Sequence, residues 1–409
     1  MKIKVSNILP NFAFFYPSIY LLCSMVGLES FLSRLMWLSS LAVLVLDASK
    51  KTRSNRQVRL SLVYIIVLAI INAILFGYSY VLHIDCYGYM LLLSLFAIYS
   101  NDDRLNKLKE VAYNHRNGIN LLISFYFLLL ISILFFNGAR MGSVWGLSFP
   151  VLYGPYSVTH NVAYQLIIMY AVASLNFRRS KKGIYLIFMI ASVLCCVWTV
   201  ARSGLLALAV VILTDYFSVR KASVKAVIAA SGLFVLLYLG LFTDFLTNNP
   251  IVQKSIISAQ GGSISNGREL FSAYVMNYYL TSTSFIQKLF GVSLYTIRSL
   301  LKVRWFVEIH AHNDFVNILA GFGIYGITGF IYSLLKLVRH TPKRILFLLV
   351  LVILAWYNGL YMSVSFVPAI PVLMVFYREI LSGVKEHDNN KGRINASSPI
   401  GAQSLHWER

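Results

Sequence analysis

The stretch from residue 308 to 330, "EIHAHNDFVNILAGFGIYGITGF", sets two histidines, an asparagine and an aspartate at the mouth of a long apolar run. A histidine in that place is a candidate general base. The positive potential at a helix N-terminus disfavours protonation, and the neutral imidazole is the form a base needs near pH 7. His310 and His312 are two residues apart, so on a helix they point about 200° apart and cannot both face one site. Asn313 and Asp314 suit the N-cap and first turn of the helix that follows. Two arginines add to this chemistry. Arg202, in "WTVARSGLLALAV", lies between two short apolar runs, where it either snorkels to the headgroups or faces an anion in a cleft. Arg268, in "SISNGRELF", follows an Asn-Gly turn signal and opens a segment of helical apolar spacing, a place that favours phosphate. A lone loop arginine is ordinarily just solvated. A histidine and two guanidinium forks on one face could accept a proton while stabilising a departing phosphate.

These residues belong to a chain of 409, of which 58% are hydrophobic and only 12% charged. A soluble domain carries about a quarter charged residues. Apolar runs long enough to cross a bilayer core of about 30 Å recur throughout, so the expected fold is all-α: a polytopic integral membrane protein of about 12 transmembrane helices. The expected spans are 12–28, 31–47, 60–82, 86–100, 118–136, 160–176, 183–200, 203–217, 226–246, 311–335, 345–361 and 364–381. Residues 1–382 form the membrane domain, with one large loop at 247–310 containing short helices, and 383–409 read as a disordered cytoplasmic tail. The opening "MKIKVSNILP" leads into the first span and lacks a small-residue cleavage site.

The net charge of +21 would point a soluble protein towards nucleic acid. Here 27 of the 36 Lys and Arg fall in the connections that twelve spans place on one side, which predicts that side, and both termini, to be cytoplasmic. The other nine are not explained by that rule: Arg34, Arg140, Arg202, Lys254, Arg268, Lys288, Arg298, Lys302 and Arg304. Six of them lie in the 247–310 loop, and Arg140 lies in the second outside loop, 137–159. The outside acids, mainly Asp85, Asp244, Glu269, Glu308 and Asp314, are scattered and include no Asp-x-Asp pair, so a metal-independent reaction without cofactors is expected. The four cysteines (Cys23, Cys86, Cys195, Cys196) show neither metal spacing nor a disulfide framework.

In order after "ARSGLLAL", the segments "GREL", "KLFG" and "HAHNDFVNILAGFGIYG" resemble the bacterial O-antigen polymerase/ligase superfamily, over roughly residues 137 to 335. The family's histidine–asparagine pair falls on His312–Asn313, its membrane-boundary arginine on Arg202 and its loop arginine on Arg268. Its asparagine-bearing outside segment falls on "YGPYSVTHNVAY", at His160–Asn161. The Gly-x-Gly that often follows the loop helix is "GVS" here (Gly291–Ser293), and an acidic residue common in the next span is Gly321. The resemblance implies an inverting glycosyltransferase of the bacterial inner membrane, working on the periplasmic face in lipopolysaccharide biosynthesis. Its donor would be an undecaprenyl-diphosphate-linked oligosaccharide. Polymerisation of O-antigen repeat units is favoured, and ligation to the lipid A core is the alternative. A lipid-linked oligosaccharide flippase is the rival from another class, disfavoured because the polar set clusters on one face and no repeat is visible. The catalytic set would be His312 as base with Arg202 and Arg268 on the diphosphate. Arg140, His160, Asn161, His310, Asn313 and Asp314 would bind substrate. Membrane lipids and a chain-length regulator are the implied partners, with no nucleic acid.

Overall fold

Apolar runs become helices whose inner or outer position is set by which faces they bury. The computed structural model of the chain describes residues 5–50, 56–114, 116–137, 140–144, 147–156, 159–218, 268–306, 310–339, 341, 344–357, 359–361 and 363–379. The first helices are α1 (Val5–Met25), α2 (Glu29–Ser49), α3 (Arg56–Phe76), the short α4 (Tyr78–Val81) and α5 (Ile84–Tyr99). Next come α6 (Asp102–Asn114), α7 (Arg116–Asn137), α8 (Thr159–Ser180), α9 (Ile184–Trp198) and α10 (Arg202–Ser218). From residue 268 onward follow α11 (Arg268–Ser282), α12 (Phe285–Phe290), α13 (Leu294–Trp305), α14 (Asp314–Arg339) and α15 (Arg344–Tyr357). A 3-10 turn (Val367–Ala369) then leads into α16, residues 370–379. Each expected span that falls on the described residues overlaps one or more helices, 60–82 covering both α3 and α4 and 364–381 starting ahead of α16. The expected span 226–246, the loop start 247–267 and the tail 383–409 lie outside the described residues.

Four described helices are long and apolar enough to cross a membrane: α2, α3, the 117–135 stretch of α7, and α14. Shorter apolar helices accompany them. α5, α8 and α16 are buried almost all round and form the interior. α7 instead exposes Leu121, Leu128, Ile131 and Phe135, an apolar stripe at helical spacing that is suited to hydrocarbon and a liability in water. α6 is amphipathic and buries Arg104, Leu105, Leu108 and Val111, so most of the basic connection 101–117 is helical and not an open loop.

Among the described residues the fold is all-α apart from one short hairpin. Within 137–159 the chain forms an antiparallel hairpin, β1 (Arg140–Val144) with β2 (Leu147–Val151), in which Arg140 pairs with Val151. Its exit is tied to the bundle where Leu152 N–H donates to the Trp198 carbonyl at 3.1 Å.

α14 is broken. Gly323 has φ 71° and ψ −170°, which splits the helix near a third of its length. The loop 291–293 fills the break: Val292 N–H donates to Ala320 O (2.9 Å) and Ser293 N–H to Gly321 O (3.2 Å). Gly291 adopts φ 89°, and a Cβ there would stand 2.1 Å from Gly321 O. A Cβ on Gly323 would stand 2.3 Å from the Leu289 backbone. The "GVS" segment and Gly321 therefore touch each other, and the approach needs glycine at Gly291 and Gly323.

Candidate active site

Arg202 is placed by the turn between α9 and α10. Thr199 Oγ1 donates to Cys196 O at 2.6 Å and accepts from Ala201 N–H at 3.3 Å, and Val200 takes φ 54°. Two residues on, Gly204 lets α10 approach α8 so closely that a Cβ would meet that of Ala163 at 2.6 Å. Arg202 thus begins α10 beside the first turns of α8, where His160 stands with its ring 6.2 Å from Tyr164. Tyr164 in turn shares a 3.4 Å hydrogen bond with Ser203.

Arg268 begins α11, as the turn signal and apolar spacing predict. The Asn-Gly turn itself lies outside the described residues. The Arg268 guanidinium is half-buried and donates from Nη1 to the Tyr357 carbonyl at 2.7 Å. Burial lowers its pKa, the Tyr164 hydroxyl opposes that, and the positive charge of Arg202 adds to it. Both arginines are the first residue of a helix, where a cation opposes the dipole by about 0.3–1 kcal/mol. Two half-buried guanidinium groups within range of each other's field, each on a helix N-terminus, make a strongly electropositive spot.

His312 lies in the field of Arg268. Its ring lies 6.4 Å from that of Phe271 on α11, and burial together with the Arg268 charge pulls its pKa down to about 4. The imidazole is neutral at pH 7. It does not stand on a helix, since α14 begins only at Asp314, so the 200° argument does not separate the histidines. What separates them is the backbone of His312, which takes φ 53° and turns the chain between them.

His310 looks the other way. Arg298 of α13 donates from Nε to His310 Nδ1 (3.3 Å) and approaches Nε2 with Nη2 (2.7 Å). A neutral imidazole has one acceptor nitrogen, so these two contacts alternate. The same Nη2 pairs with the buried Asp85 of α5 at 2.5 Å. Burial, the Arg298 charge, then His312 and His83 push the His310 pKa down to about 3.

Asn313, Asp314 and Asn161 have structural partners. Asn313 is the N-cap of α14, its Oδ1 accepting from Phe315 N–H (3.0 Å) and Val316 N–H (3.3 Å). Asp314 is more than a first-turn residue. Fully buried, its Oδ2 accepts from the N–H groups of Leu360 and Tyr361 and ties down the turn after α15. Asn161 Oδ1 accepts from Ser365 Oγ at 3.0 Å. Arg140 opens β1. Sequence reasoning did not assign Tyr164, Tyr357, Phe271, Asp85 or Arg298. Only Arg298 left a usable signal, as one of the basic residues that topology does not explain. Among the described residues no three His, Cys, Asp or Glu side chains gather as metal ligands would. No protein-family model matches the chain, and neither a curated protein nor a solved structure matches it significantly.

Proposed function

We propose that the protein is a glycosyltransferase that polymerises undecaprenyl-diphosphate-linked O-antigen repeat units at the periplasmic face of the inner membrane. One observation carries the reading: Arg268 lies within electrostatic range of both Arg202 and the neutral His312, three residues from separate parts of the chain. His312 takes the proton of the acceptor hydroxyl. The acceptor oxygen bonds to the anomeric carbon, whose bond to the diphosphate oxygen breaks with the electron pair leaving on the diphosphate. Arg202 and Arg268 receive that charge with planar forks, without a divalent metal. Attack opposite the leaving group inverts the anomeric carbon.

The twelve-span topology, with both termini cytoplasmic and the 247–310 loop periplasmic, belongs to this reading and rests on the distribution of basic residues. A broken helix is also a transporter feature. The break at Gly323, however, is filled by the chain's own backbone at 291–293, and the basic cluster lies nine residues or more away towards the helix start.

A deletion strain analysed on a lipopolysaccharide gel tests the function. Core bearing a single repeat unit is expected. Core alone would make the protein the ligase, and an unchanged ladder would remove both. Polymer formation by the purified protein is expected to continue in excess chelator.

A further inference from the structure

Four contacts pin the chain on either side of His312. Arg298 holds His310 from one side. Ala311 N–H donates to Asn317 Oδ1 of α14 at 3.1 Å, and Ala311 O accepts from Ser272 Oγ of α11 at 2.8 Å. Asn313 is committed to the cap of α14. Between these anchors His312 is left in the left-handed region, a conformation that persists for a non-glycine residue only where its surroundings over-determine it.

Of the four, the Arg298 contact alone reaches outside the neighbouring helices into the interior. Asp85 is fully buried in the first turn of α5, 213 residues from Arg298 in sequence, and its carboxylate pairs with the guanidinium that holds His310. His83 stands on its other side, 3.4 Å from Asp85 Oδ2. A buried carboxylate keeps its partner strictly, because a missing cation leaves an uncompensated charge. Asp85 therefore fixes where the Arg298 fork lies, and the fork fixes His310.

We propose that Arg298, locked by Asp85, is a positioning residue for His312: through His310 it holds the 310–313 segment so that the His312 imidazole faces the Arg202–Arg268 spot. The inference rests on the reading of His312 as base. It explains why an arginine stands on α13, on the side where the distribution of basic residues calls for none.

The test uses the full chain in lipid nanodiscs, with Arg298→Gln and Arg298→Lys. In Arg298→Gln, hydrogen exchange in peptides covering 310–316 should rise about tenfold while α8 stays protected. Turnover with a carrier-linked donor should fall about tenfold or more in kcat with little change in KM, since the donor's phosphate site is intact. Lysine restores a charge for Asp85 but not the fork that grips His310. Arg298→Lys should therefore recover thermal stability and leave kcat low, and it carries the test if the glutamine variant does not fold. A purely structural role would restore kcat together with stability, which would overturn the proposal. Normal exchange and normal kcat in Arg298→Gln, alongside an inactive His312→Ala, would overturn it while leaving the proposed function standing. A fully active His312→Ala would remove the reading beneath both.

Discussion

At the scale of single residues, the two histidines of "HAH" have different fates although one alanine separates them. His312 lies in the field of the Arg268 guanidinium, and His310 is held by Arg298. General-base assistance is worth about 10²–10⁴-fold, so His312→Ala should bring polymer formation to near background at matched protein levels. His310→Ala removes only a support and should retain measurable turnover. An inactive His310→Ala beside an active His312→Ala would reverse the assignment. The pH dependence is a separate check. A pKa lowered to about 4 keeps His312 neutral above that value, so base function is present at neutral pH and is lost as pH falls through about 4. A profile of kcat/KM should stay flat down to about pH 5, and an acidic limb near the ordinary 6.5 would show that the base is not in this setting. For the arginines, Arg202→Ala and Arg268→Ala should each abolish transfer with membrane-inserted protein unchanged. Lysine at either position should restore little, since it supplies a point charge and no fork. Full polymer length in Arg268→Ala would return that residue to an ordinary solvated role.

At the scale of elements, the broken helix decides where the loop sits. Gly291 and Gly323 both have positive φ, and both face backbone, which cannot swing aside as a side chain can. Gly291→Ala and Gly323→Ala should each cost at least about 2 kcal/mol, from left-handed strain plus displaced backbone. Gly183, with nothing within 4 Å of its would-be Cβ and no positive φ, is the control and should tolerate alanine. Thermal unfolding in detergent reads the difference. Equal midpoints for all three variants would mean that the loop does not dock at the break. The same docking brings α12 and α13 against α14 and so delivers Arg298 to His310.

At the scale of the whole molecule, ion pairs tie helices together at both ends, Arg298 with Asp85 at the end of His310. The end opposite His312 carries ion pairs that knit the connections together: Arg104 with Asp47, Arg178 with Asp215, and Arg378 with Asp102. Fusing alkaline phosphatase or β-galactosidase at successive positions tests the topology. A junction near residue 285 is expected to give phosphatase activity, and one near residue 180 β-galactosidase activity. A junction near 285 active only with β-galactosidase would invert the topology and move the site to the cytoplasm.

Much of this was legible in the sequence because a bilayer imposes one strong rule: backbone polar groups in hydrocarbon must be satisfied internally, so long apolar runs become helices. The starts of α10 and α11 at Arg202 and Arg268, and the Asn313 cap, follow from local signals of the same kind. The hairpin at 140–151 was not foreseen, since two five-residue arms carry too short a pattern to stand out. The break at Gly323 was hidden too, because glycine is tolerated inside helices and only a neighbour's approach makes it a hinge. The pairing of Arg298 with Asp85 spans 213 residues, and no spacing rule reaches that far. Sequence by itself determined which residue types were present and which helix ends they occupied, because those depend on neighbours along the chain. Only the tertiary structure decided which histidine lies by Arg268 and which is held by Arg298, because that choice depends on a left-handed backbone angle held in place by α11, α13 and α14 together.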